Sequence, residues 1–253
     1  MDLGLKGLKA IVTGGTKGIG RASAERLAAE GADVAICARN AGQVEATIKS
    51  LKSKGVNASG AAIDVGDGSA LKKWVADSAK ALGGIDIVVC NVSAIAINKD
   101  EESWQKEFNV DMMHTVRTIE AAMPYLEKSK AGSIVVVSSV SGFEIDFAAG
   151  PYGAMKAALI HYCSGLSHQL ASKGIRANAV SPGNTYFIDG VWNQIEKGMP
   201  DLYKSALAAN PTGRMARPEE IANGVAFLAS PAASFVTGTN LVIDGALTKR
   251  VQF

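Results

Sequence analysis

Tyr152 stands four residues before Lys156 in the stretch GPYGAMKAAL, which begins at Gly150. On a helix this spacing puts both side chains on one face, with Cβ atoms about 5–6 Å apart. A lysine ammonium beside a phenol favours the phenolate and pulls the phenol down from its ordinary pKa of about 10. The pair can therefore move a proton, but two ordinary helix residues share the same spacing, so the reading needs further partners. One is Ser139, which closes the run GSIVVVSS thirteen residues before Tyr152. If that run is a strand and the pair lies on the next helix, the returning loop sets the serine hydroxyl beside the phenol.

A second constellation lies near the amino terminus. TGGTKGIG runs from Thr13 to Gly20, with Gly14, Gly18 and Gly20 around Thr16, Lys17 and Ile19. Glycines at a strand-to-helix turn let a pyrophosphate approach backbone N–H groups at a helix start. A bare tight turn is the alternative, and the location between the first strand and the first helix favours a nucleotide. The next strand ends Cys37-Ala38-Arg39, so no acid stands where ribose hydroxyls of NAD would be bound. Lys17 and Arg39 instead supply two cations for the 2′-phosphate of NADP, unless both are simply solvated surface charges. Further strand ends carry Asp64, placed to accept from an adenine amino group or to cap a helix, Val65, placed to pack the ring, and Asn91, near the nicotinamide ribose.

These residues need a scaffold that gathers strand ends. Apolar runs begin at Lys9, Asp33, Ser59, Ile85, Gly132, Ile175 and Asn240. Between them lie amphipathic stretches at about 18–30, 42–54, 100–127, 151–173 and 218–229, and a periodic set of Leu71, Trp74, Val75, Ala79 and Leu82. Seven strands alternating with about six helices predict an α/β fold, a doubly wound parallel sheet with helices on both faces. Ligands of such sheets bind at the carboxyl ends of the strands. No linker is evident, so residues 1–253 form one domain, with a segment at about 186–212, more irregular and helical in part, shaping the substrate pocket.

Bulk properties agree. The formal net charge is +2, which gives no electrostatic case for nucleic acid. Cys37, Cys90 and Cys163 are far apart, have no metal spacing and read as reduced thiols of a cytoplasmic protein. The first strand begins by Lys9, which leaves no room for a removable signal peptide, and no apolar run reaches the roughly 18 residues of a membrane span.

On these residues the chain resembles the short-chain dehydrogenase/reductase family over essentially its whole length. The matching motifs are Thr13-Gly14-x-x-x-Gly18-x-Gly20, Asp64, Asn91, Ser139, Tyr152-x-x-x-Lys156 and Pro182-Gly183. The closing segments NPTGRMARPEEIA and TGTNLVIDG are similar to those of bacterial 3-oxoacyl-carrier-protein reductases. The resemblance implies a Rossmann-type fold and an NADP(H)-dependent interconversion of a secondary alcohol and a ketone. It implies Tyr152 as general acid in reduction and base in oxidation, Lys156 on the nicotinamide ribose, and Ser139 donating to the substrate oxygen. A carbonyl that accepts hydride needs such a proton donor and polariser at one oxygen. It also implies a homotetramer or homodimer, with contacts at the 100–127 helix, the helix after Pro151 and the TKRVQF tail.

Departures from the family pattern are equally legible. The family's Asn-Asn-Ala-Gly reads Cys90-Asn91-Val92-Ser93 here, with a serine for the glycine. Its Asp-Val-Asn reads Asn109-Val110-Asp111, which puts Asp111 where the fourth catalytic residue stands. The resemblance implies that the Asp111 backbone carbonyl holds the relay water, while its side chain is able to stabilise Lys156. His114, one turn later, either extends that relay or is a helix residue at a subunit contact. A threonine expected four residues past Gly183 is Phe187, leaving the Thr185 backbone for the carboxamide. Glu144 and Asp146, in the loop after Ser139, either face a polar substrate or are surface carboxylates; Tyr186 is a candidate wall of the pocket. Two other functions compete: a nucleotide-binding regulator or scaffold that has lost turnover, and an epimerase or dehydratase of sugars, whose relatives carry longer chains.

Overall fold

The computed structural model describes residues 2–249 and 251. β-branched runs form strands β1 (Lys9–Thr13), β2 (Asp33–Ala38), β3 (Ala58–Ala62), β4 (Ile87–Cys90), β5 (Ser133–Val137), β6 (Arg176–Pro182) and β7 (Asn240–Ile243). They make one sheet in the order β3-β2-β1-β4-β5-β6-β7, every pair parallel. Successive side chains of a strand face opposite ways, so each strand feeds two cores. Ile11, Val88, Ile134 and Val136 face helices α3 (Gly68–Leu82), α5 (His114–Leu126) and α6 (Pro151–Leu170), against Trp74, Ile119 and Leu159. Val12, Val89, Val135 and Val137 face α1 (Gly18–Ala29), α2 (Ala41–Lys52) and α9 (Pro218–Ala229), against Leu27, Leu51 and Val225. Each such side chain contributes about 1.5–3 kcal/mol on burial, which fixes register and handedness together.

Strand order reverses between β1 and β4, and the crevice outside their carboxyl ends is where the expected site residues converge. The long helix expected at 100–127 is not uniform. It comprises α4 (Glu101–Glu107), a widened π-helical turn over Phe108–Met113, and α5. The segment at 186–212 is helical in part, as expected. It holds α7 (Val191–Gly198) and α8 (Pro200–Ala208), packed with Trp192, Ile195 and Met215. Of the tail expected to make contacts, Arg250, Gln252 and Phe253 lie outside the described residues.

Candidate active site

Pro151 opens α6 at its first turn, where its fixed φ suits a helix and no N–H is missed. Tyr152 and Lys156 then share the face turned toward the end of β5. Ser138 ties the two elements together, donating from Oγ to the Lys156 carbonyl at 2.8 Å. Gly142 allows the loop after β5 to lie on α6, because a Cβ there would come within 2.8 Å of the Lys156 carbonyl carbon. Ser139 caps the short turn of Val140–Gly142 and is hydrogen-bonded to the Tyr152 phenol. The three residues that the spacing predicts to meet are therefore brought together.

Lys156 is among the most buried side chains of the molecule, only 2% exposed. Its Nζ lies 5.5 Å from the Tyr152 ring centroid. It donates to the Val137 carbonyl at 3.3 Å and lies 3.0 Å from Asp111 Oδ2 as an ion pair; with those two directions occupied, one of its three donors remains for a ligand. Burial alone would pull the ammonium's pKa down, but the facing charge of Asp111, with Tyr152 and Glu107, wins and holds it up. For Tyr152 the balance goes the other way from the sequence expectation. Desolvation raises the phenol's pKa by more than Lys156 and the Ser139 hydrogen bond lower it. Burial thus favours the protonated phenol.

Asp111 meets Lys156 through its side chain, the contact expected of an acid at this position, and its carbonyl accepts from the Thr115 hydroxyl at 2.8 Å. Burial works against the carboxylate, yet Lys156, Glu107, the Ala94 N–H and the Ser93 hydroxyl together hold its pKa below the ordinary range. Oδ1 accepts from Ala94 at 2.8 Å. Ser93 and Asp111, two separate departures in the sequence, are thus partners in space. Asn109 faces elsewhere, reaching the Gly66 carbonyl and accepting from Arg117.

Sequence reasoning missed Glu107. It is fully buried and hydrogen-bonded to Asp111, and it accepts from the Ala96 N–H. The available signal is the spacing of Ser103, Glu107, Asp111 and Thr115, four polar residues at intervals of four on one helix face, all buried. The π-helical turn lies inside this stripe, a place where such turns recur at functional sites.

His114 is too buried for a subunit contact. It is buried within the protomer, with Nδ1 donating to the Val110 carbonyl at 2.8 Å and Nε2 accepting from the Thr13 hydroxyl at 2.9 Å. Thr13 Oγ1 in turn accepts from the Asn91 N–H at 3.0 Å. Asn91 Nδ2 points to the carbonyls of Thr13 and Gly14, so its side chain braces the glycine turn.

At that turn Gly14 and Gly18 have φ of +67° and +50°. Lys17 precedes α1 without a side-chain cap, so the first N–H groups of the helix await an anion. Thr16 and Gly20 are buried and Ile19 half-buried beside them. This donor set fits a pyrophosphate. A cavity of about 300 Å³ opens here, lined by Thr16, Lys17, Gly18, Gln43, Phe187 and Asp189. A larger hollow of about 470 Å³ lies at the other end of the strands, by Lys9 and Asp86 where β1 and β4 begin, and gathers none of these groups. The Phe187 ring packs so closely on Gly18 that a Cβ there would sit 2.5 Å from it. Lys17 and Arg39 are both exposed, and Lys17 Nζ lies 3.8 Å from Asp189.

The other expected positions have the following surroundings. Asp64 accepts from the Gly66 N–H in a local turn, while the cap of α3 is Asp67. Val65 is buried in the core. Pro182 ends β6 and Gly183 bonds to the Ile243 carbonyl. Thr185 bridges to Ala216, with its hydroxyl on the Gly183 carbonyl. The Tyr186 hydroxyl donates to Glu196 and accepts from Asn193, both of α7. Asp146 turns inward to Ser141 and Ala148. Glu144 stays half-buried in the same loop.

Comparison with known proteins accords with this arrangement. A family profile described as enoyl-(acyl carrier protein) reductase matches residues 14–248. The chain is 40% identical to an isoepoxydon dehydrogenase of Penicillium expansum, over all of this chain and 99% of that one. It is 34% identical to the mouse (Mus musculus) dehydrogenase/reductase SDR family member 4, over 96% of this chain and 88% of the relative. Its structure is similar to that of L-sorbose reductase from Gluconobacter frateurii, solved with NADPH and L-sorbose, with a TM-score of 0.91, 29% identity and coverage of 99% and 100%. With the glycine turn, the serine, the tyrosine–lysine pair and the doubly wound sheet all in register, the chain belongs to the short-chain dehydrogenase/reductase family of oxidoreductases.

Proposed function

We propose that the protein interconverts a secondary alcohol and a ketone with NADP(H), using Tyr152 as general acid and base. The observation that carries this is the assembly of Ser139, Tyr152 and Lys156 at the strand ends, with Lys156 held charged and one donor unspent. The bound nicotinamide supplies or takes the hydride. Ser139 polarises the substrate oxygen and Tyr152 gives it a proton. Lys156 orients the cofactor ribose and stabilises the tyrosinate left behind. Gly14, Gly18, Ile19 and Gly20 receive the pyrophosphate, and Asn91 keeps their turn in shape. Asp64, Val65, Pro182, Gly183 and Thr185 border the rest of the dinucleotide. Lys17 and Arg39 are exposed cations flanking the same turn, which supports a 2′-phosphate and hence NADPH over NADH.

A small polar ketone is the substrate class we favour. Glu144 lies five residues past Ser139 in the loop facing the site, and the L-sorbose reductase neighbour was solved with a sugar. The intact Ser139, Tyr152 and Lys156 set favours turnover over a regulatory role. We also read the chain as a cytoplasmic homotetramer or homodimer, supported by its three buried free thiols and by the exposed Trp104 and Phe108 on the central helix. No helix among the described residues is long and apolar enough to cross a membrane.

The test is oxidation of NADPH and of NADH over a panel of ketones, diketones, keto-sugars and 3-oxoacyl thioesters. Tyr152→Phe should lower kcat/KM by about 10²–10⁴-fold with cofactor binding intact. Arg39→Ala should raise KM for NADPH and leave that for NADH unchanged. A wild-type preference for NADH would overturn the 2′-phosphate assignment, and full activity in Tyr152→Phe would overturn the acid–base role.

A further inference from the structure

Two buried carboxyls face one buried ammonium on the inner side of the site, and the second carboxyl has no place in the mechanism above. Glu107 and Asp111 are both completely inaccessible, and Lys156 is nearly so. Each carboxyl is fixed by one backbone donor, Ala94 N–H on Asp111 Oδ1 and Ala96 N–H on Glu107 Oε1. Of the remaining oxygens, Asp111 Oδ2 has Lys156, and neither it nor Glu107 Oε2 has an ordinary hydrogen-bond donor. The two side chains are nevertheless in hydrogen-bonding contact. Two carboxylates cannot form that bond, because neither carries a proton. One proton between them satisfies both orphaned oxygens.

The backbone around the pair is bent to serve it. Ile95, between the two donating residues, has φ +52°. That left-handed conformation is a genuine outlier for a β-branched side chain and persists where the surroundings enforce it. It allows Ala94 and Ala96 N–H groups to point at the two carboxyls in turn. The Ser93 hydroxyl completes the cage around Asp111.

We propose that Glu107 and Asp111 hold a single proton between them, and that Glu107 is thereby the positioning residue that keeps Asp111 ionised on Lys156 and sets the charge facing Tyr152. This rests on the reading of Tyr152 as the acid–base group. Burial first, and the charge of Asp111 second, push the Glu107 carboxyl up to about 8. Two like charges this close share a site at the expense of one ionisation. The ionisable groups around the pair are Tyr152 and Lys156 of α6 and, on the same long helix, His114, which is buried neutral. With Glu107 neutral, the buried Lys156 and Asp111 charges cancel. When Glu107 ionises, a net negative charge appears behind Lys156 and makes Tyr152 a weaker acid.

Infrared difference spectroscopy of the whole protein during a pH titration tests this without turnover. Wild type should show the C=O stretch of a protonated carboxyl at neutral pH, fading as pH rises through the range near 8. The band should be absent from Glu107→Gln. It should also be absent from Asp111→Asn, where Glu107 becomes the sole counter-ion of Lys156. The wild-type pH profile of kcat/KM for reduction should fall on the same limb, and Glu107→Gln should lose that limb. Absence of the band in wild type below neutrality, or its persistence in Glu107→Gln, overturns the shared proton. Identical pH profiles for wild type and Glu107→Gln overturn the coupling to Tyr152. A band that behaves as expected in a protein whose Tyr152→Phe variant keeps full activity leaves the shared proton standing and sinks the acid–base reading alone.

Discussion

His114 should make the fold acid-sensitive in a defined window. Its imidazole is buried as the neutral tautomer between the Val110 carbonyl and the Thr13 hydroxyl. Desolvation lowers its pKa from 6.5 to about 4, against the partly offsetting attraction of Asp111. In the unfolded chain the ring titrates near its ordinary value, so between these limits the unfolded state binds more protons. The folded-state pKa is the depressed one, so the contribution is fully present above about 6.5 and is lost as pH falls through about 4. A shift of about 2.5 units at about 1.4 kcal/mol each makes roughly 3 kcal/mol at stake. Urea unfolding of wild type and His114→Gln over this range isolates the term, because titrations elsewhere cancel in the difference. The stability gap between the two proteins should be constant above the window and shrink by roughly 3 kcal/mol across it. A gap that stays level down to pH 4 would refute the neutral buried imidazole and the hydrogen-bond directions drawn from it.

Two further predictions concern stability and reactivity. Ile95→Gly should raise unfolding free energy by about 1 kcal/mol in urea melts, since glycine carries no penalty at φ +52°, and an unchanged midpoint would mean that the loop is not strained. Cys37, Cys90 and Cys163 are buried, and desolvation is the chief cause that pushes all three thiols well above their ordinary range, Cys37 and Cys163 up to about 12. A thiol reagent should therefore label the native protein only as fast as it unfolds, and rapid labelling of any one would contradict the packing.

Much of the architecture was legible because parallel strands buried on both faces are nearly continuous β-branched runs. IVVC of β4 and SIVVV of β5 admit no other reading once helices alternate with them. The site was legible where chemistry depends on spacing along one element, as for Tyr152 and Lys156, or on a strand end, as for Ser139. It was illegible where a side chain's direction is decided by its neighbours. Asp64 and Asp67 are three residues apart in one loop, and only the observed turn tells which one caps α3. Nor does the sequence tell that the Tyr186 hydroxyl is spent on Glu196. Glu107 was hidden because a charged residue on a long amphipathic helix is ordinarily solvated. The widened turn over Phe108–Met113 has no periodic signature. The pairing of Ser93 with Asp111 is the clearest case. As isolated departures they hinted at lost activity, whereas in space each accounts for the other.

The strand order has a consequence for how the molecule is made. Every ladder in the sheet is parallel, so no strand pairs through a hairpin, and each joining must close a long loop first. β1, β2 and β3 come from the first quarter of the chain and can associate early in synthesis. Lys156, in contrast, needs Val137 from β5 and Asp111 from the central helix before its charge is tolerable. A chain interrupted before α6 thus leaves Asp111 and Glu107 without their cation, and a folding intermediate in which α6 is undocked holds a charged, half-built interior. Slow acquisition of the native state is expected from this non-local wiring, since the charged centre cannot be completed before β5, the central helix and α6 have met.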